Sequence, residues 1–214
     1  LTTEQYHRPP DSVKLIAVSK GQPITAIEQA FIAGISDFGE NYWQEAKVKM
    51  HALNHLPIHW HFIGPIQSNK AAHIAQQYTG AHRDERIKGA THHSQHRPSN
   101  QPPLKVCIQV NLDNEPNKGG VEAMHLPELI KQVNVLPGIQ LKGLMTIPKP
   151  QTNPEDQYQN FLRLSLLLQA MNQQFNLTLD TLSMGMSDDL GAAIRAGSTM
   201  IRIGRAIFGE RHTS

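Results

Sequence analysis

Cysteine is almost absent: Cys107 stands alone, which excludes an internal disulfide framework and points to a reducing compartment. Charge of one sign is missing as well. The 20 Lys+Arg and 18 Asp+Glu leave a formal net charge of +2, and no charged run dominates any stretch. A dedicated nucleic-acid binder needs a clustered basic face, so that class is set aside. No apolar run approaches the roughly 18 residues that a membrane span requires, and no signal-peptide pattern opens the sequence. The chain starts at Leu1 rather than Met, so a short preceding piece is expected to be missing from it. No GxGxxG follows the first apolar run, which removes the main signature of a dinucleotide-binding fold. These absences leave a soluble, cytoplasmic globular protein whose 214 residues suit one domain over 1–214.

What is present is alternation. Short apolar runs at 15–20, 37–40, 61–64, 81–84, 106–112, 141–147, 181–186 and 200–204 read as strands. Between them, stretches 23–34, 42–53, 67–78, 121–136, 154–175 and 188–197 have helical apolar spacing. Pro23 suits a first helical turn, and Gly34 and Gly197 sit where C-terminal caps belong. Ser187, followed by Asp188 and Asp189, reads as an N-cap. The segment 83–104 holds a short helix and then a surface loop. Eight strands alternating with helices form parallel βαβ units, and the α/β architecture that fits is a single (β/α)8 barrel of the TIM type.

In such a barrel, functional groups belong at the carboxyl ends of strands. Lys20 closes the first run, and period-two alternation puts it on one face with Ile16 and Val18. If that face is inward, Lys20 is a desolvated amine suited to Schiff-base chemistry; otherwise it simply leaves the sheet into solvent. The segment from Met184 to Asp189 is a strand, a Gly turn and a helix start, which serves either as an anion site with the Ser187 hydroxyl or as an ordinary cap. Arg202 interrupts an apolar strand and needs either a carboxylate or a ligand, because its charge cannot be shed. Gly204 lets backbone approach a ligand closely. His59 and His61 share a strand face, and His51 and His55 are spaced i, i+4 on a helix. Neither pair has diagnostic metal-ligand company, so no metal is expected. Cys107 reads as a core residue.

Five ordered motifs carry a resemblance: Ala17-Val18-Ser19-Lys20, Phe38-Gly39-Glu40-Asn41-Tyr42, the run from Trp60 to Lys70, the run from Leu182 to Asp188, and Arg202-Ile203-Gly204. Together they resemble the pyridoxal phosphate homeostasis protein family over about residues 11 to 210. That resemblance implies a barrel like the N-terminal domain of alanine racemase, with pyridoxal 5′-phosphate held as a Schiff base on Lys20. It implies that Arg202 faces the pyridine nitrogen, and that Ser187 with the backbone of Gly204 and Arg205 cradles the phosphate. Asn41, Ser183 and Met184 would line the pocket, with His61 on a neighbouring pocket-facing strand. Lys118 matches a family lysine without a derived role. The chain departs from the family where Arg205 replaces a common threonine, and where Gly21 and Gln22 follow Lys20 in place of a second nearby lysine. Residues 81–97 match weakly, and residues 1–10 are expected to be the remnant of an N-terminal helix or tail.

The function implied is a carrier that sets intracellular pools of the vitamin B6 cofactor without turnover of its own. Its partners would be the cofactor and apo-enzymes that use it, and the chain would be a monomer. The alternatives are an amino-acid racemase, whose second base is expected to lie in a separate C-terminal β-domain that this chain lacks, and a phosphate-ligand barrel enzyme using Lys20.

Overall fold

The computed structural model describes residues 2–210. Nine strands run in chain order: β1 Lys14–Val18, β2 Asp37–Glu40, β3 His59–Phe62, β4 Gly80–Asp84, β5 Leu104–Asn111, β6 Val121–Glu122, β7 Ile139–Met145, β8 Thr181–Ser183 and β9 Met200–Ile203. Every pairing is parallel, and the order β4-β3-β2-β1-β9-β8-β7-β5 closes through a β4–β5 ladder. The result is the eight-stranded barrel expected from the sequence, with the two-residue β6 appended beside β5.

Alternation along each strand divides its side chains between two environments. Ala17, Phe38, Trp60, Ala81, Val106 and Leu182 face outward and pack against helices. Helices α2 Ile24–Ile32, α3 Trp43–Ala52, α4 Ala71–Gln77, α5 Ile87–His96, α6 Leu126–Asn134, α7 Pro154–Phe175 and α8 Leu190–Arg195 form most of that outer layer, between a short α1 Thr2–Gln5 and a short α9 Arg205–Phe208. Their buried faces supply Ile27, Ile74, Ile130, Val133, Phe161 and Leu164 to one continuous core between sheet and helices. The inward face differs in chemistry: Asp37, His61, His82, Ser183 and Arg202 are all buried polar groups inside the barrel.

The glycine caps fall where the sequence puts them. Gly34 and Gly197 adopt φ of +105° and +104°, and the residue after each closes a six-residue turn, Ile35 N–H to Ala30 O and Ser198 N–H to Ala193 O. Pro23 precedes the first helical residue instead of occupying the first turn. Three helix boundaries differ further. The helix expected over 121–136 starts at Leu126, because Val121 and Glu122 extend alongside β5. The segment after β4 is a ten-residue helix, α5, longer than the short helix expected. α3 ends at Ala52, so His51 and His55 do not share a helix face.

Candidate functional site

Two residues past β1, Lys20 enters a cavity of about 440 Å³ at the carboxyl-terminal mouth of the barrel. Val18, Ser187, Arg202, Gly204 and Arg205 line it too. The inward alternation of Ile16, Val18 and Lys20 therefore holds, and five of the residues expected to bind a ligand meet in one place. A Cβ at Gly204 would find only Val18, at 3.6 Å; any side chain there would project into the cavity, and glycine keeps it open.

The backbone around Lys20 is clamped from α3. Lys49 Nζ donates to Ser19 O at 2.6 Å and to Glu40 Oε1 at 2.7 Å. Ser19 Oγ donates to the same carboxylate at 2.7 Å. Glu45 Oε1 accepts from Gly21 N–H at 2.5 Å and from Lys49 at 2.6 Å. The residues on both sides of Lys20 are thus tied to one helix turn. Burial pushes the Glu40 carboxyl up, and the Lys49 ammonium and Ser19 hydroxyl hold it back. Glu40 belongs to the Phe38–Tyr42 motif, but nothing in the one-dimensional pattern said that its carboxylate turns outward to a lysine nine positions later. The i, i+4 spacing of Glu45 and Lys49 was the one legible signal.

Arg202 is the buried charge of the site. Nη1 donates to Ser183 Oγ at 2.8 Å and Nη2 to Thr146 O at 3.2 Å, both neutral acceptors. Among the described residues no carboxylate forms an ion pair with it. Burial draws its pKa down to about 10, opposed by the more distant Asp189, so it remains a cation at neutral pH. The sequence left open whether this arginine meets a structural carboxylate or a ligand, and the neutral partners favour a ligand.

Ser187 lies one turn ahead of α8 and is not its cap. The cap position is Asp189, whose Oδ1 accepts from Met186 N–H at 2.7 Å because the turn folds back on itself. Ser187 nonetheless lines the mouth cavity. The Arg205 guanidinium reaches Asp188, with both carboxylate oxygens 3.0 Å from Nη2.

Four expected residues stand elsewhere. Asn41, just past β2, keeps a buried Oδ1 with no hydrogen-bond partner. Ser183 lies one layer below the mouth, between Arg202 and His82. Met184 alternates outward, and its side chain sits in the sheet–helix core. His61 does not reach the mouth. It lines a second cavity of about 390 Å³, with Lys14, Asp37, His59 and Lys105 at the amino ends of their strands. Two layers of barrel separate it from Lys20, and its ring bonds Asp37 and His82. Among the described residues no group of three His, Cys, Asp or Glu could hold a metal ion. Cys107 is buried, with its thiol pushed up to about 12 by desolvation, as a core residue would be. Lys118 pairs with Glu115 at 2.8 Å on the surface. No described helix is long and apolar enough to cross a membrane.

Comparison with known proteins bears on this arrangement. The family model for the N-terminal domain of alanine racemase matches residues 2–212. The pyridoxal phosphate homeostasis protein of Pseudomonas aeruginosa is 50% identical over 204 residues, spanning 95% of this chain and 87% of that protein. Its counterpart in Escherichia coli K12 is 42% identical over 210 residues, 97% of this chain and 89% of that one. Among solved structures, PipY of Synechococcus elongatus with pyridoxal phosphate bound superposes with a TM-score of 0.88 at 34% identity, covering 97% of both chains. An alanine racemase of Clostridium difficile, at 11% identity, shares the fold with a TM-score of 0.76, and this chain covers 56% of it.

Proposed function

The chain belongs to the alanine racemase N-terminal domain family, among its pyridoxal phosphate homeostasis proteins, and from that premise we propose that it holds pyridoxal 5′-phosphate at the barrel mouth as an intracellular reservoir. The observation that carries this reading is Arg202: a buried cation whose partners among the described residues are neutral, in the same cavity as Lys20, which is large enough for a small ring. The buried Oδ1 of Asn41, just past the carboxyl end of β2 and without a hydrogen-bond partner, is a second polar group that supports the reading.

When bound, pyridoxal phosphate supplies an aldehyde that condenses with amines and a ring that withdraws electrons. Lys20 is the amine placed to hold it, and the Lys49–Glu45 clamp fixes the backbone from which that amine projects. Arg202 supplies a permanent positive charge to the ring nitrogen, keeping a proton off that atom. With that nitrogen held unprotonated by Arg202, a bound ring would be a weaker electron sink, which favours storage of the ligand over amino-acid chemistry. Ser187 and the backbone of Gly204 and Arg205 offer donors to the phosphate. The relatives' name, homeostasis protein, supports the same direction. Delivery to apo-enzymes in the cytoplasm, by a monomer, completes the proposal.

Borohydride reduction of cofactor-loaded protein followed by peptide mass mapping tests it. The expected result is a phosphopyridoxyl group on the peptide containing Lys20, absent from a folded Lys20→Ala variant. An unmodified Lys20 after loading would overturn the assignment.

A further inference from the structure

Below Arg202 the barrel interior contains four consecutive side-chain hydrogen bonds. Arg202 Nη1 lies 2.8 Å from Ser183 Oγ, Ser183 Oγ 2.7 Å from His82 Nδ1, His82 Nε2 3.0 Å from His61 Nδ1, and His61 Nε2 2.8 Å from Asp37 Oδ1. The chain of contacts starts on β9, passes to β8, crosses the lumen to β4 and descends through β3 to β2. All five residues are buried, none more than 7% exposed.

Chemistry fixes its direction. A guanidinium only donates, so Ser183 Oγ is the acceptor at the Arg202 end. The one hydroxyl hydrogen of Ser183 then points to His82 Nδ1, which must be bare. A neutral His82 carries its proton on Nε2 and donates to His61 Nδ1, which must be bare in turn. His61 therefore carries its proton on Nε2 and donates to the Asp37 carboxylate. One assignment satisfies every bond with both rings neutral. The reverse orientation needs an extra proton on His61 and leaves the Ser183 hydrogen without an acceptor in the chain.

We infer that Ser183, His82, His61 and Asp37 form a directed hydrogen-bond chain that aims Arg202 at the ring nitrogen of a bound ligand while leaving its charge uncancelled. A carboxylate next to Arg202 would pair with it and draw the guanidinium out of the pocket. A serine oxygen whose own hydrogen is committed elsewhere holds the guanidinium as an acceptor and contributes no charge. The carboxylate that balances the interior sits at the far end, in the lower cavity, where Lys14 and His59 also approach it at 3.4 and 3.7 Å. Both rings are biased to neutrality by burial. For His82, the charges of His61, Arg202 and Lys14 add to that bias against a weaker opposing pull from Asp37; for His61, Lys14 and His59 add to it while Asp37 opposes. Ser183 and His61 are thus positioning residues that act through Arg202, not contacts of the ligand, and His82 and Asp37 join them.

The part that concerns the ligand rests on the pyridoxal phosphate reading, so the test has two arms. In ligand-free protein, nitrogen-15 NMR of the histidine rings at pH 7 should show His61 and His82 both neutral and protonated on Nε2. A charged ring, or an Nδ1-protonated one, would overturn the chain. In the second arm, binding of pyridoxal 5′-phosphate is compared with that of its 1-deaza analogue, which lacks the ring nitrogen. Ser183→Ala should weaken binding of the former by about tenfold, in line with a hydrogen bond to a charged group, and leave the analogue unchanged; Ser183→Thr should restore the difference. Equal loss for both compounds would reduce Ser183 to a structural role and overturn the inference. If neither compound labels Lys20, the cofactor reading falls, and the ring tautomers alone decide the chain.

Discussion

The two ends of the barrel interior hold cavities of similar size, about 440 Å³ at the carboxyl-terminal mouth and about 390 Å³ at the amino-terminal end. Both are lined by basic residues, yet they differ in how charge is settled. At the lower end two of the three lysines meet carboxylates, Lys14 with Asp37 at 3.4 Å and Lys142 with Asp180 at 3.1 Å. At the upper end Arg202 has, among the described residues, only a hydroxyl and a carbonyl for hydrogen-bond partners. Burying a cation without a counter-ion costs stability unless something else is bound. Uncompensated charge therefore separates the candidate site from the lower cavity, whereas volume does not.

The contrast can be pressed hardest through the lysines. Lys49, on α3 outside the barrel behind Lys20, is almost fully buried against a Glu40 carboxylate that is itself fully buried. Lys49→Met strands that charge, and stability should fall by about 3–5 kcal/mol, the range for breaking one partner of a buried pair. Lys14 has a 43% exposed side chain, and Lys14→Met should cost less than about 1 kcal/mol, as for surface pairs. Denaturant midpoints of the two variants measure the difference. Equal losses would mean that the clamp around Lys20 is no more than a surface pair, and that the two ends are built alike.

Acid provides a second way to separate the groups along the interior. The folded pKa of His61 and of His82 lies below the unfolded 6.5, because burial disfavours the imidazolium. Below pH 6.5 the unfolded chain binds more protons than the folded one, so stability declines as pH falls from there. Asp37 behaves differently. Its burial would raise the carboxyl, but the His61 hydrogen bond, with the charges of His61, Lys14 and His59, brings it down to about 2 from 3.8. Its contribution is complete above 3.8 and is lost as pH falls through about 2. A His82→Gln variant, compared with the parent by thermal unfolding between pH 7 and 5, should show a shallower acid decline. An unchanged slope would mean that His82 carries its proton in the folded state.

These groups also mark what could be read from one dimension. The eight-strand alternation, the face that Lys20 shares with Ile16 and Val18, and the isolated Arg202 are legible because each depends on local period or on a residue type that cannot be buried cheaply. The clamp and the hydrogen-bond chain were not, since Glu40 and Lys49, or His82 and Ser183, are joined only by barrel closure. His61 shows the cost of that gap. The resemblance puts it on a pocket-facing strand, but an inward side chain on β3 can serve either end of the lumen, and alternation does not say which. Met184, which the resemblance puts in the pocket, follows Ser183 directly, so alternation turns its side chain outward into the sheet–helix core. Ser187 was given a cap that Asp189 occupies, because both residue types cap helices and only the folded turn selects between them.

The smallest expected effect lies where this chain departs from its family. Arg205 stands where the resemblance leads one to expect a threonine, and its guanidinium is held by Asp188, with both groups largely exposed. An exposed pair of this kind contributes about 0.2–1 kcal/mol, so Asp188→Asn should leave the unfolding midpoint almost unchanged. It should nevertheless tighten binding of pyridoxal 5′-phosphate by roughly two- to fivefold at low salt, since it removes a negative charge beside the phosphate and releases a cation toward it. Pyridoxal, which lacks the phosphate, should bind the variant and the parent alike, and the gain should fade as salt rises. If the two compounds respond equally, Arg205 does not reach the phosphate, and its backbone alone would replace the missing hydroxyl. The mouth would then recognise its anion by main-chain donors, with Arg202 as the only side-chain cation that acts on the ligand.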